Sequence, residues 1–250
     1  MKRSTQLSLL ALILVSLLLP GCWGQSANKI RVATDATWPP FEYVNEKTKQ
    51  LEGFDIDLMN EVAKKAGLQV DYVNVGFESL LEGLATCKYD AAISSITITA
   101  ERKKSMAFSE PYVIAGQVVV VRKDNTDVVS KDNLGGKQVG AEVATTGAME
   151  VDKIKGAVLK PYDKIDVAYQ DLMNRRIDAV VSDYPLALAY VGKNPDKLKT
   201  VGSMFTSEFY GIAVCTNKAE LLAKINTALK SCLDEGLVDK LFDKWISSQR

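Results

Sequence analysis

The 250-residue chain carries 31 basic and 31 acidic residues, 47% apolar residues, four cysteines and no histidine. A near-neutral balance excludes the basic footprint of a nucleic-acid binder, and the missing histidine removes the commonest general base and transition-metal ligand. At this length the chain forms one large domain or two lobes of about 100 residues, each able to bury its own core.

The first element is not part of the fold. Lys2 and Arg3 precede the apolar run "LSLLALILVSLLLPGC", which reads as a secretion signal over residues 1–21. The stretch Leu7 to Leu19 is shorter than the about 20 apolar residues a spanning helix needs. Its last letters resemble a lipoprotein signal-peptidase site, so Cys22 is expected to become a lipidated N-terminus that anchors an extracytoplasmic protein to the membrane. A soluble secreted form and an uncleaved anchor are the alternatives, because Pro20 is unusual just before the glycine of such a site. Removal of residues 1–21 leaves 229 residues with 29 basic against 31 acidic side chains. Of the remaining cysteines, Cys215 and Cys232 are the pair expected to bridge in an oxidising compartment; the spacing fits no zinc pattern.

Next, Ile30 to Ala33 reads as a strand. "GFDIDLMNEVAKKAG" reads as an amphipathic helix with Ile56, Met59, Val62, Ala63 and Ala66 on one stripe and Gly67 as its stop. The strand "VDYVNV", the helix "FESLLEGLATC" and the strand "YDAAIS" follow. Such alternation implies βαβ units and a largely parallel sheet. The same pattern then recurs: Leu84 stands six residues before "DAAIS" and Leu172 six before "DAVVS", 88 residues on. "IRVATD", ending at Asp35, is likewise echoed by "KQVGAE", ending at Glu142. Short Asp-Ala-apolar strings are common in α/β proteins, but two echoes in one order favour two similar lobes. The β-branched run "AGQVVVVRKD" suits an extended crossing between lobes, and "EFYGIAVC" suits the return. The chain ends in a helical tail with Gly236 dividing it. The expected organisation is therefore residues 22–115 with 209–250 as lobe 1, residues 116–208 as lobe 2, and two hinge crossings. In open parallel sheets, ligands bind beyond the carboxyl ends of the strands. Asp35, Ser94, Ser95, Glu142, Ser182 and Asp183 sit at such ends.

The strings "TDATWPPFEY", "GFDIDL", "ISSITITAER", "FSEPY", "TTG", "AVVSDY" and "YGIAV" occur in that order over nearly all of the mature chain. In order and spacing they resemble the polar amino-acid branch of the bacterial extracellular solute-binding proteins, the periplasmic-binding-protein components of ABC importers. The resemblance implies a two-lobed α/β fold of type II, each lobe a mostly parallel sheet flanked by helices. It implies that Arg102 grips a ligand α-carboxylate with its planar fork, helped by Thr97, Ser94 and Ser95. From the other lobe, Thr146 would meet the carboxylate and Asp183 the α-ammonium. Taken alone, Arg102 reads as an exposed first-turn residue capped by Thr99, Asp183 as a turn cap before Pro185, and Thr145 and Thr146 as a polar turn.

Specificity rests on four further positions. Trp38 and Phe77 match aromatic positions that sandwich the ligand side chain in basic amino-acid binders. Asp35 and Glu142 would repel each other unless a cation sat between them or one stayed protonated. Some glutamine binders of the family carry lysine at the position of Glu142. The sequence thus points to a monomeric, cofactor-free and metal-free receptor for arginine or another basic amino acid, closing around its hinge and delivering to an ABC importer permease. A glutamine or other polar amino-acid binder is the runner-up. An enzyme of the cyclohexadienyl dehydratase type is the alternative of another class, with Glu142 its sole candidate acid or base.

Overall fold

The structure is a computed structural model that describes residues 28–247, so the signal segment and Cys22 lie outside the described residues. In chain order, strand β1 (Asn28–Thr34) leads through the short strands β2 (Thr37–Trp38), β3 (Glu42–Val44) and β4 (Leu51–Glu52). Helix α1 (Phe54–Ala66), β5 (Leu68–Asn74), α2 (Phe77–Ala85) and β6 (Ala91–Ala92) follow. After β7 (Ala107–Phe108), β8 (Val113–Ala115) and β9 (Gln117–Arg122), the next unit comprises β10 (Gln138–Glu142), α3 (Thr146–Lys153), β11 (Val158–Tyr162) and α4 (Ile165–Met173). It continues with β12 (Ala179–Asp183), α5 (Tyr184–Lys193) and β13 (Leu198–Val201). The return runs through β14 (Glu208–Tyr210) and β15 (Ala213–Val214) to α6 (Ala219–Asp234) and α7 (Leu237–Trp245).

Two five-stranded sheets result, in the orders β5-β1-β6-β15-β7 and β11-β10-β12-β9-β13. Both are mixed. In the first, β1 runs parallel to β5 and β6 while β15 is antiparallel to β6 and β7. In the second, β10 runs parallel to β11 and β12 while β9 is antiparallel to β12 and β13. The parallel half of each sheet is the part that the repeat in the sequence marks, with β1 and β10 as equivalent central strands. Between the sheets, β8 and β14 pair antiparallel with Ile114 opposite Phe209. The chain thus passes out and back along one two-stranded ribbon.

Local chemistry accounts for the elements that frame the cleft. Helix α1 begins at Gly53, whose φ of 133° belongs to glycine, and a Cβ there would lie 2.2 Å from the Phe41 carbonyl oxygen. That close approach lets the first helical N–H groups donate to the preceding turn, Phe54 N to Pro40 O at 3.1 Å and Asp55 N to Phe41 O at 2.9 Å. Gly67, left-handed at φ 65°, stops the helix. Gly236, also left-handed, divides α6 from α7. The tail returns to the first lobe: Lys244 Nζ and Trp245 Nε1 both donate to Asp57 on α1.

The cysteine pairing differs from the expectation. Cys87, just after α2, bridges Cys215, just after β15, across 128 residues with Cα atoms 5.2 Å apart; Cys232 is free and buried on α6. The cause is topological, because β15 pairs with β6 and sets Val214 opposite Ala91. Cys215 is thereby brought to the start of the α2–β6 connection, and Cys232 is buried in a different apolar cluster.

Candidate functional site

The carboxyl ends of the strands of both sheets face each other, and side-chain contacts join them, among them Tyr210 Oη donating to Asp183 Oδ2 at 2.8 Å. Arg102 Nη2 donates to Ala144 O at 3.0 Å, Trp38 Nε1 donates to Glu142 Oε2 at 2.6 Å, and the hydroxyls of Thr97 and Thr146 lie 3.4 Å apart. Arg102, Asp183, Trp38, Phe77, Asp35, Glu142, Thr97 and Thr146 are therefore gathered around one interlobe cleft.

Arg102 stands in a short 3-10 turn, Arg102–Lys104, whose first N–H is received by Thr99 Oγ1 at 3.1 Å. Its side chain is not the exposed ornament that this turn alone suggests, being only 7% exposed. Nη1 donates to Thr97 O at 2.8 Å, and the guanidinium carbon lies 5.3 Å from the Phe77 ring centroid. Burial lowers its pKa to about 10, which leaves it a cation at neutral pH. Across the cleft, Thr145 caps α3 by accepting from Ala148 N, and Thr146 opens the helix with its hydroxyl turned toward the cleft.

Asp183 occupies the N-cap position of α5 but makes no side-chain cap bond. Its oxygens are turned away from the helix: Oδ2 accepts from Tyr210 Oη at 2.8 Å, and Oδ1 accepts from Gln117 Nε2. The register explains the second contact, since Asp183 sits directly opposite Gln117 on β9. Burial first, then the neighbouring Glu208, push Asp183 up to about 7. Ser182, one residue earlier on the strand, points the other way and meets Tyr169 Oη at 2.7 Å in the interior of its lobe.

At the other end of the cleft, Trp38 and Phe77 present near-parallel rings, 24° between planes and 6.5 Å between centroids. Glu142 is buried, with Oε2 accepting from Trp38 Nε1 and from Ile165 N at 2.9 Å, while Oε1 has no donor. Asp35 is buried as well; Oδ1 accepts from Thr37 Oγ1 at 2.8 Å and Oδ2 has no donor. Burial first, then the proximity of Asp35, raise Glu142 to about 8, and burial also raises Asp35. The repulsion anticipated from the sequence is thus relieved by a retained proton when no cation is at hand.

Ser94 and Ser95 belong to the same wall, but the Ser94 hydroxyl and the Ser95 N–H are bonded within the lobe, and Ser95 Oγ is buried without a partner. Ser94 Oγ donates to Glu42 Oε1 at 2.8 Å and accepts from Asp35 N at 3.0 Å; Ser95 N donates to Asp55 Oδ2 at 2.6 Å. That hydroxyl and that N–H are already committed within the lobe. Five neighbours escaped the sequence reading: Gln117, Glu208, Tyr210, Glu42 and Asp55. Gln117 had a signal, as the lone polar residue opening the apolar run "QVVVV", and it also donates to Thr146 Oγ1 at 3.1 Å. Glu208 accepts from the same hydroxyl at 2.7 Å.

Residues 30–248 match the family described as bacterial extracellular solute-binding proteins, family 3. Among curated proteins, the chain is 34% identical over 226 residues to the putative ABC transporter arginine-binding protein 2 of Escherichia coli K12, covering 88% of this chain and 91% of that one. It is 32% identical over 254 residues to a probable histidine-binding protein of Neisseria gonorrhoeae, covering 96% and 94%. Among solved structures, it is similar to an ancestral arginine-binding protein bound to arginine, with a TM-score of 0.82 and 43% identity over 87% of this chain and 98% of that one.

Proposed function

The chain belongs to the bacterial extracellular solute-binding proteins, family 3, and from that premise we propose that it is the amino-acid receptor of an ABC importer, taking arginine or another basic L-amino acid between its lobes. The family binds solutes rather than transforming them, and so do the relatives named above. The observation that carries the basic ligand is the pair of buried, donorless oxygens, Asp35 Oδ2 and Glu142 Oε1, at the aromatic end of the cleft. Buried acceptors without donors are costly in a protein interior, and a guanidinium or ammonium group supplies donors with the complementary charge.

The remaining contacts fit a zwitterion held head to tail. Arg102, with Thr97 and Thr146, takes the α-carboxylate; Asp183, steadied by Tyr210 and Gln117, takes the α-ammonium. The ligand side chain then runs past Trp38 and Phe77. A cation midway between those rings lies well inside the about 6 Å reach of a cation–π contact on both faces. A micromolar dissociation constant corresponds to about 8 kcal/mol, a surplus that a fully paired zwitterion with a stacked side chain can supply. Closure about the β8–β14 ribbon brings Thr146 and Asp183 onto a ligand already held by Arg102. The closed form then presents both lobes, 22–115 with 209–250 and 116–208, to the permease as a monomer. Export and a lipid anchor at Cys22 follow from the signal segment; loss of membrane association in Cys22→Ser tests them. Titration calorimetry with arginine, lysine, histidine and glutamine tests the ligand class. Heat with glutamine and none with the basic amino acids overturns it.

A further inference from the structure

Behind the wall that carries Ser94 and Ser95 lie two carboxyl groups that no ligand can touch. Glu42 and Asp55 are both 0% exposed. They are within hydrogen-bonding reach of each other, held there because the N-terminus of α1 docks on the Pro40–Phe41 carbonyls. Each has one oxygen fully engaged. Glu42 Oε1 accepts from Ser94 Oγ at 2.8 Å, and Asp55 Oδ2 accepts from Ser95 N at 2.6 Å and Tyr112 Oη at 3.0 Å. Each has one oxygen left over, Glu42 Oε2 and Asp55 Oδ1, with no donor. Two carboxylates cannot sit against each other in an apolar interior with both charges intact, and a proton on one of the leftover oxygens would give the other the donor it lacks.

We infer that Glu42 and Asp55 share one proton between their two free oxygens, and that this hydrogen-bonded monoanion is the positioning device for the Ser94–Ser95 turn. Ser95 is held at φ 48°, in the left-handed region, where a serine needs an external tie. The Asp55 carboxylate on its N–H supplies that tie. Ser94, gripped by Glu42, in turn accepts from Asp35 N at 3.0 Å. One shared proton thus fixes the backbone of both the Ser94–Thr97 segment and Asp35. The titratable groups acting on the pair are Asp35 on Glu42, and Tyr112, Tyr72 and Tyr210 around Asp55; none of the strongest interactions is with a cation. Burial raises both carboxyls, Asp55 to about 7 and Glu42 well above its ordinary value.

The effect on ligand binding rests on the receptor reading above, whereas the shared proton does not, and the test separates them. Glu42→Gln, Asp55→Asn, the double variant and Glu42→Ala are compared by urea unfolding from pH 5 to 8 and by calorimetry with arginine, lysine and glutamine. Either amide alone supplies the missing donor, so at pH 5 each single amide variant is expected to stay within about 3-fold of the wild type in binding and in folding equilibrium. The double variant must face two amide donors at each other and is expected to lose on the order of 30-fold or more in folding equilibrium beyond the sum of the singles. The native pair keeps a proton that the unfolded chain releases above the ordinary carboxylate range. The pair's contribution to stability is therefore present at low pH and lost as pH rises toward its own raised value, about tenfold per unit; Glu42→Gln lacks that part of the slope, while Glu142, Asp183 and Asp35 keep theirs in both proteins. Additive amide substitutions, or a Glu42→Gln variant as unstable as Glu42→Ala, overturn the shared proton. If the cycle holds and no amino acid binds the wild type, the proton stands and the receptor reading fails.

Discussion

Replacing Glu142 by glutamine isolates the side-chain end of the cleft. The substitution keeps an acceptor for Trp38 Nε1 and Ile165 N and removes the charge from the donorless oxygen. A hydrogen bond to a buried charged group contributes about 1.5–3 kcal/mol, so arginine affinity is expected to fall about 10- to 150-fold. Glutamine, which brings no side-chain charge, is expected to change by less than about 3-fold. The pH dependence sharpens the test. With a pKa near 8, Glu142 is protonated at neutral pH in the ligand-free protein and must release that proton to pair with a cationic side chain. Arginine affinity therefore rises with pH below about 8, by up to tenfold per unit. Asp183, raised to about 7, adds a similar dependence for every amino acid through the α-ammonium. The ratio of arginine to glutamine affinity cancels that shared contribution and reports the Glu142–Asp35 end of the cleft, and its change in Glu142→Gln reports the share of Glu142. Calorimetry in buffers of differing ionisation enthalpy, between pH 6 and 8, measures both the ratio and the protons released. A ratio that stays flat in the wild type, or equal losses for both ligands in Glu142→Gln, refutes the assignment of Glu142 to the side chain.

Arg102→Met is expected to abolish binding of every amino acid, since two charge-assisted bonds to a carboxylate are worth about 3–6 kcal/mol; calorimetry with arginine and glutamine checks it. Trp38→Leu is expected to weaken arginine by about 2 kcal/mol through loss of the cation–π face, with glutamine affected less. Trp38→Phe, which keeps a ring but loses the N–H to Glu142, separates stacking from that hydrogen bond. Reduction of Cys87–Cys215 is expected to lower stability by about 4–5 kcal/mol, as a loop of more than a hundred residues implies in the chain-entropy model. Urea unfolding with and without dithiothreitol measures this, and Cys232→Ser is expected to leave that difference intact.

The elements with clean periodicity were readable because each pattern records a local environment. The stripe of Ile56, Met59, Val62 and Ala63 is buried against the core, and Gly67 and Gly236 take the left-handed conformation that ends or divides a helix. The ligand-facing residues were legible only as an ordered set, because Arg102 beside Thr99 and Asp183 before Pro185 each have an innocent local role. What stayed hidden was whatever depends on one distant strand meeting another. Cys215 finds Cys87 through the β6–β15 pairing. Asp55 falls in the first turn of α1, where the helix dipole alone would favour an acid. Only the docking of α1 on the Pro40–Phe41 turn turns it inward beside Glu42. Glu208 and Tyr210 reach Asp183 and Thr146 because the return strand lies along the lobe junction.

Charge balance gives the cleft a preference that no single contact conveys. The whole chain is neutral in formal charge, yet the buried charged side chains among the described residues are five acids, Asp35, Glu42, Asp55, Glu142 and Asp183, and one base, Arg102. Isolated charge in an interior is too costly to persist, so most of this surplus is carried as bound protons, with the Glu42–Asp55 pair keeping one hydrogen-bonded negative charge. A neutral zwitterion such as glutamine adds one anion and one cation and leaves the surplus where it was. A basic amino acid adds a second cation and replaces a proton on Glu142 or Asp35 with a guanidinium or ammonium that both carboxylates can share. Uptake of a basic ligand is then an exchange of a cation for a proton within a fixed acidic frame. Proton release on binding, larger for arginine than for glutamine by up to one per molecule, is its direct signature.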